Sequence, residues 1–201
     1  MAFDSFGIRK MADNSKENTD EYVNTYNHYK ILRNESGMFE CDDDGKLLRF
    51  YPDVQNLLDE TIVKDRFTFG KSYYKPCVHS LIIPEGVTAI GENFFRYGFV
   101  EEIFHFPNTL RSIGDERDHG VFAKSHLPDV VIPESVETIG IFAFGSCTIK
   151  SIKLTRFFDC EYLRQFNDAH IGTLYLPYDC RWNHGFDGFV YLHEAKNVEF
   201  Y

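Results

Sequence analysis

The sequence lacks both an excess of positive charge and any long apolar run. Among its 201 residues, 21 are Lys or Arg and 31 are Asp or Glu, which gives a formal net charge of −10. Direct nucleic-acid binding depends mostly on Lys and Arg contacts to phosphates, so this balance argues against it. The longest apolar runs fall far short of the roughly 18 residues that a membrane-spanning helix needs. The hydrophobic content of 43% excludes a wholly disordered chain.

Cysteine is scarce, and its spacing does not predict cross-linking. The number is odd and no two cysteines form a C-x-x-C pair, which argues against a disulfide framework and a structural zinc site. We expect reduced cysteines that act as small apolar core residues. These are Cys41, Cys77, Cys147, Cys160 and Cys180.

The N-terminus has no apolar segment of signal-peptide length. This absence predicts a cytoplasmic location, or an exported protein if a leader has been removed. Asn34, Glu35 and Ser36 form a glycosylation sequon, which has meaning only in a eukaryotic secretory pathway.

Signatures of enzymatic chemistry are also missing. The sequence contains no Walker loop, no G-x-G-x-x-G and no H-E-x-x-H. Cys77 and His79 alternate on a strand-like stretch and would share a face, but two ligands alone are a weak signal for metal. The DDDG stretch places Tyr51 where an EF-hand needs a bidentate Glu, so Asp44 and Gly45 are interpreted as a turn. We expect no catalytic residue, no metal and no cofactor.

What the sequence does have is an internal repeat. Segments of the form apolar-x-apolar-Pro recur, and their second apolar residues are separated by 23, 26, 22 and 22 positions. The longest step contains a polar insertion, GDERDHG, which the repeat accepts as extra loop. A period in the twenties predicts a solenoid of stacked coils. The marker residues are Ile83, Phe106, Ile132, Leu154 and Leu176.

Further columns hold at fixed offsets from these markers. An aromatic column predicts a stacked Phe ladder, and a column of small residues predicts a tightly packed corner. The aromatic column is Phe95, Phe122, Phe144 and Phe166, and the small column is Gly98, Ser125, Cys147 and Ala169.

The unit VVIPESVETIGIFAFGSC, residues 130–147, resembles the BspA-type leucine-rich repeat, because Pro, Ile-Gly, Ala-Phe and Cys occupy the family positions. The resemblance covers about residues 61–193. It implies a mainly β fold, a leucine-rich-repeat solenoid of about five units with short parallel strands and irregular or short helical turns. Val190–Leu192 is predicted as the terminal strand and residues 194–201 as a C-terminal tail.

Residues 1–60 are predicted to form an acidic N-terminal extension with a β-hairpin cap. They carry 13 acidic and 7 basic side chains, against 18 and 14 in the remainder. Strands are predicted at Phe39–Cys41 and Leu47–Tyr51, joined by the Asp44-Gly45 turn. A hairpin of this kind also resembles what precedes the repeats in the family. The segment EYVNTYNHYKIL, residues 21–32, is predicted as a helix with its tyrosines on one stripe.

Alternation along each short strand predicts which side chains point inward and which remain on the concave face. The inward pairs are Leu81/Ile83, Phe104/Phe106, Val130/Ile132, Ile152/Leu154, Leu174/Leu176 and Val190/Leu192. Because apolar and aromatic side chains on an exposed sheet suit a protein contact, the outward residues are candidates for partner binding. The alternative is that such residues simply favour strands. The candidates are Ile82, His105, Val131, Lys153, Tyr175, Phe189 and Tyr191.

The favoured hypothesis is therefore a non-enzymatic module that recognises another protein through the concave face. The family resemblance implies surface or host-interaction roles, but members usually carry an export signal that this sequence lacks, which favours an intracellular binder. The main alternative is a small acidic inhibitor that blocks a basic, nucleic-acid-binding groove of an enzyme. Its contact residues would be Asp42, Asp43, Asp44, Glu101, Glu102, Asp115, Glu116 and Asp118. A surface adhesin or a Cys/His metal protein is less favoured.

Overall fold

The computed structural model describes residues 9–10, 22–24, 29–58, 76–114, 120–155, 163–178 and 195–201. Strands dominate these residues, and the only helices among them are two 3-10 turns, Val54–Asn56 and Leu163–Phe166. In the described part of the chain, no helix is long and apolar enough to cross a membrane. The strands are β1 (Arg9–Lys10), β2 (Tyr22–Asn24), β3 (Tyr29–Asn34), β4 (Gly37–Cys41), β5 (Lys46–Pro52), β6 (Cys77–Ile82), β7 (Ala89–Ile90), β8 (Phe99–His105), β9 (Ser112–Ile113), β10 (His126–Ile132), β11 (Thr138–Ile139), β12 (Thr148–Leu154), β13 (His170–Leu176) and β14 (Ala195–Phe200).

The predicted mainly β solenoid is confirmed. Six strands form one sheet in the order β14-β13-β12-β10-β8-β6, and every neighbouring pair in it is parallel. The short strands β7, β9 and β11 form a second parallel row, which continues from β5. The coils that contain β6, β8 and β10 therefore each contribute a long strand to one side of the solenoid and a short strand to another.

Proline and glycine shape the path between these two sides. Pro84, Pro107 and Pro133 follow the long strands, where a residue without an N–H ends the ladder. In each case the chain turns at once, and the carbonyl of the proline accepts a hydrogen bond from the residue three positions later. The Ile of the repeated Ile-Gly ends the short strand, and the Gly leads into the third side of the coil.

The third side is a turn that is hydrogen-bonded to the turns of the neighbouring coils. Phe122 N donates to Ala143 O at 2.7 Å, and Lys124 N donates to Gly145 O at 2.8 Å. The same pattern links the turns before and after this pair. The coils that contain β6, β8 and β10 are thus joined to one another along three sides, and the core lies between these sides.

The inward columns are confirmed in the described residues. All ten predicted strand residues from Leu81 to Leu176 are buried, with at most 8% of their surface exposed. Inside the turns, Phe122 stacks on Phe144 with ring centroids 5.4 Å apart, and Phe144 stacks on Phe166 at 5.2 Å. The small column is buried as expected, and a Cβ on Gly98 would overlap the Phe95 ring.

The cysteine expectation is confirmed for Cys41 and Cys147, which are free and fully buried. Cys77 is also free but half-buried, while Cys160 and Cys180 lie outside the described residues.

The predicted N-terminal hairpin is present as β4 and β5, with Gly45 at φ +82° in its turn. β3 pairs antiparallel with β4, and β2 with β3, so the hairpin belongs to a longer meander. The helix predicted for residues 21–32 is wrong, because β2 and β3 occupy most of that segment. Tyr, Val, Asn and Thr are poor helix formers, and antiparallel pairing supplies the backbone partners that a helix would otherwise provide.

The cap joins the solenoid through both sheets. Lys46 and Leu47 of β5 pair in parallel with Ala89 and Ile90 of β7. At the edge of the long sheet, an isolated antiparallel bridge joins Leu57 to Val78 of β6. Beyond it, three polar side chains form hydrogen bonds with the backbone of Ser80 and Ile82. Asn34, Ser36 and Asn56 supply these bonds, at 2.7–2.9 Å.

The C-terminal end differs from the prediction. Ala195–Phe200 forms the strand β14, which pairs in parallel with β13 and aligns Leu174 with Val198. These residues therefore belong to the sheet and are not a tail. The predicted terminal strand Val190–Leu192 lies outside the described residues. The apolar-x-apolar pattern occurs in both segments, VYL and VEF, and only the pairing register distinguishes them.

Candidate protein-interaction face

The side of the six-stranded sheet that faces away from the core is the candidate site, and we call it the outer sheet face. Parallel pairing places Val131, Lys153, Tyr175 and Glu199 in one row across β10, β12, β13 and β14. On the neighbouring pair of strands, Ile82 aligns with His105. The structure therefore brings five of the seven predicted partner-binding residues to one face, with Glu199 in the place expected for Tyr191.

The remaining two candidates, Tyr191 and Phe189, lie outside the described residues. Because Asn197 aligns with Thr173 and Glu199 with Tyr175, β14 fills the positions that Phe189 and Tyr191 were predicted to occupy. The C-terminal end of the face is consequently more polar than the sequence indicated.

Two large apolar side chains are exposed in the middle of the face. Ile103 on β8 is 51% exposed and Val131 on β10 is 52% exposed. Their strands are neighbours in the sheet. Neither side chain contributes much to the core, so their apolar surface remains available for contact with another molecule.

Charged groups on either side of this apolar pair are held in place. Lys150 Nζ donates to Asp129 Oδ2 at 2.7 Å, and Ser151 Oγ donates to Asp129 Oδ1 at 2.7 Å. These two hydrogen bonds, Lys150 first, lower the pKa of Asp129. Toward β6, His79 Nδ1 lies 2.8 Å from Glu101 Oε2. Fixed charges around an exposed apolar centre determine which partner binds and in which orientation, more than they increase the affinity.

An aromatic residue that sequence analysis missed lies at the C-terminal end of the face. The ring of Tyr201 lies 3.9 Å from Lys153 Nζ, and its hydroxyl donates to Leu154 O at 2.9 Å. Tyr178 is 56% exposed and donates its backbone N–H to Tyr201 O. Tyr201 follows the apolar-x-apolar pattern of β14, so assigning VEF to the sheet would have found it.

Of the acidic residues predicted to contact a basic partner, Glu101 and Glu102 lie on β8 of the long sheet. The other described members of that set do not lie on the outer sheet face. Asp42 is used within its own turn, where Oδ1 accepts from Asp44 N at 3.0 Å and Lys46 N at 2.8 Å. This turn, which includes Asp43, lies beside Thr88 near the row of short strands. Asp115, Glu116 and Asp118 lie outside the described residues. The inhibitor hypothesis remains a prediction.

The described residues also bear on the metal and thiol hypothesis. No group of three or more His, Cys, Asp or Glu in them is placed to hold a metal ion. Burial raises the pKa of Cys41 to about 12 and that of Cys147 to about 11. Since the thiolate is the reactive species, both side chains have the character of structural core residues.

Comparison with known proteins agrees with the coil geometry. A family model described as "BspA type Leucine rich repeat region" matches residues 65–117 and 116–186, with six copies in the chain. No curated protein and no solved structure matches the chain. The matched residues span more than half of the sequence.

Proposed function

Because the chain belongs to the BspA-type leucine-rich repeat family, we propose that it recognises another protein through the outer sheet face. Leucine-rich repeats commonly serve as interaction modules, and the family is typically non-enzymatic. The observation that supports this face is the exposure of Ile103 and Val131 on adjacent strands, in a sheet whose other side is buried. The proposed location is cytoplasmic, unless a leader has been removed.

The chemistry of the face predicts the kind of partner surface. An apolar side chain of the partner would pack on Ile103 and Val131, while Tyr175 and Tyr201 would supply the aromatic contacts that dominate interface energies. Lys153 lies next to both tyrosines, since it pairs with Tyr175 across the strands and contacts the Tyr201 ring. A partner with an apolar centre and a carboxylate at one side would fit this arrangement.

A capture experiment tests the proposal. Immobilised wild-type protein is compared with the double variant Val131→Glu/Tyr175→Ala by quantitative mass spectrometry of captured proteins. Each change alters a side chain on the exposed face, so circular dichroism and the urea midpoint should stay close to wild type. A matched control, Glu134→Ala, changes an exposed residue in the turn after β10.

We expect at least one protein to be captured by the wild type and the control and lost with the double variant. Its affinity, measured by titration calorimetry with the purified partner, should fall by about 30-fold or more, since interface hot spots contribute about 2 kcal/mol or more. If the folded double variant retains every captured protein, the outer sheet face is not the recognition surface.

A further inference from the structure

A second surface lies on the third side of the coils, where the turns stack. Four successive turns line a groove of about 240 Å³, which we call the turn groove. The turns contain Glu92–Arg96, Gly120–Lys124, Phe142–Ser146 and Asn167–Asp168. None of these residues belongs to the six-stranded sheet. The groove is therefore distinct from the outer sheet face.

The repeat itself creates the groove. The turn-to-turn hydrogen bonds align Arg96, Ala123, Gly145 and Asn167 at equivalent positions of successive coils. Ala123 and Gly145 are the two smallest residues of this row and leave space between the larger side chains around them. Phe142 borders that space and is 38% exposed, with a left-handed backbone at φ +56°.

Two cations occupy one end of the turn groove. Arg96 Cζ lies 5.2 Å from the centre of the Tyr97 ring, and Lys124 Nζ lies 5.3 Å from it. Lys124 also donates to the Tyr97 hydroxyl at 3.4 Å, which lowers the pKa of that phenol. The positions of both cations are thus fixed by the same aromatic ring.

Neither cation is neutralised by a carboxylate among the described residues. Arg96 Nη1 donates to the Asn93 amide oxygen at 3.1 Å, and Arg96 Nε is buried without an acceptor. The two acids of the groove bond to neighbouring amides instead, Glu92 to Asn93 at 2.9 Å and Asp168 to Asn167 at 2.7 Å. Within the ranges that the structure describes, two adjacent cations thus lie without a carboxylate, although the chain has a net charge of −10.

We propose that the turn groove binds an extended peptide segment of a partner, with a carboxylate between Arg96 and Lys124 and an apolar side chain against Phe142. Charge complementarity selects the acid, because neither cation has a carboxylate partner in the described part of the chain and a carboxylate can accept from both. The cleft above Ala123 and Gly145 accommodates the apolar group.

The coil spacing sets the spacing within the peptide. Neighbouring coils are about 4.8 Å apart, so the midpoint between Arg96 and Lys124 lies about 7 Å from Phe142 along the axis. An extended chain advances about 3.4 Å per residue, so the acid and the apolar residue are two positions apart. Asp168 at the far end of the groove disfavours a second acid beyond the apolar residue.

Nuclear magnetic resonance titration of the full chain tests the proposal with a defined probe. The probes are a blocked pentapeptide Ser-Asp-Ser-Leu-Ser and its reverse, since the peptide direction along the groove is not specified. We expect amide shifts at Lys124 and Ser146 without shifts at Val131 on the outer sheet face. The interaction should weaken several-fold between low and physiological ionic strength.

The double variant Arg96→Gln/Lys124→Asn should weaken binding of the better peptide by about five- to tenfold, because it removes both charge-assisted contacts. Asn tolerates the left-handed backbone of position 124, where φ is +59°. Lys150→Asn is the matched control, because it removes one lysine charge from the outer sheet face and should leave peptide binding unchanged.

Changes in the peptide provide a test that does not depend on a protein variant. Replacing its Asp with Asn should reproduce the loss, and replacing its Leu with Gly should weaken binding with the wild-type protein. The proposal is overturned if neither peptide shifts the turn amides, if the Asn peptide binds equally well, or if acetate alone binds as tightly. Shifts confined to Val131 and its neighbours would also overturn it.

Discussion

The side-chain hydrogen bonds at the edge of β6 predict that replacing Asn56 lowers the stability of the fold. This residue is 6% exposed, and its amide nitrogen donates to Ser36 O at 2.9 Å and Ser80 O at 2.7 Å. Its amide oxygen accepts from Ser80 N at 2.8 Å. One side chain therefore supplies Ser80, at the edge of the sheet, with the backbone partners that an additional strand would give.

Asn56→Ala removes these three bonds and a fourth, in which Ser80 Oγ donates to the Asn56 amide oxygen at 3.1 Å. Ser80 N and Ser80 O lose the Asn56 side chain as a partner, whereas Ser36 O keeps a hydrogen bond from Asp53 N at 3.2 Å. At about 1 kcal/mol for each buried hydrogen bond, the loss in free energy of unfolding should be about 3 kcal/mol. Asn56→Asp separates hydrogen bonding from packing. It has nearly the same volume, but its carboxylate would face the carbonyl oxygens of Ser36 and Ser80, so it should be at least as destabilising as Ala.

Urea unfolding followed by circular dichroism measures these differences, with Asn108→Ala as the control. Asn108 is exposed, and its side-chain amide donates to Glu85 at 3.4 Å. Its replacement by Ala should therefore change the free energy of unfolding by less than about 0.5 kcal/mol. Size-exclusion chromatography should also show more association for the Asn56 variants, since their β6 edge is unblocked. A free energy of unfolding near the wild-type value for Asn56→Ala, or a clearly higher one for Asn56→Asp than for Asn56→Ala, would refute this account of the β6 edge.

Three further predictions concern the core. Phe122→Ala should lower the free energy of unfolding by about 4 kcal/mol, which is more than the loss expected for Phe166→Ala. The Phe122 ring packs between neighbouring coils and against several other rings, whereas Phe166 has Phe144 as its one ring partner in the described residues. Equal urea midpoints for the two variants would contradict this. Cys41 and Cys147 should not react with Ellman's reagent at pH 8 until the protein is unfolded, and fast native reaction of all five thiols would contradict their burial. Because their folded pKa values are raised to about 12 and about 11, the stability that they contribute is complete below the unfolded value near 9 and is lost as pH rises through the folded values. Urea midpoints should therefore fall between pH 8 and pH 10, and less so in Cys147→Ala.

The solenoid could be predicted from sequence because its core residues repeat at fixed offsets. No single marker residue predicts the fold, but a series such as Ile83, Phe106 and Ile132 does. The series predicts where the strand, the turn and the Phe ladder lie within each unit. The Asp44-Gly45 hairpin could be predicted for another reason, because its turn chemistry is local.

The errors arose where that series ends. The tyrosines of residues 21–32 fit a helical stripe, but Tyr22 and Tyr29 lie on β2 and β3, which pair with each other. β3 also pairs with β4, which lies outside the segment that carries the stripe. Near the C-terminus, two segments have the apolar-x-apolar pattern of a sheet strand, and only the pairing of Leu174 with Val198 identifies which one forms the strand.

The side-chain hydrogen bonds at the β6 edge and the turn groove could not be predicted, because their residues come from unrelated positions. Asn56 lies in the 3-10 turn Val54–Asn56, and no sequence pattern marks it as the partner of Ser80. Arg96 and Lys124 are separated by 28 positions and by the insertion, so only the stacking of the coils brings both to the Tyr97 ring.

The three-sided coil has a consequence for how such a molecule changes length. The units that begin at β6, β8, β10 and β12 each supply one strand to the long sheet and one turn to the stack on another side. Duplicating or deleting a whole unit, for example residues 126–147, would move both surfaces by the same step of about 4.8 Å and preserve the packing between neighbours. Evolution or design can therefore adjust the reach of both sides together, but a change in one side alone requires point substitutions.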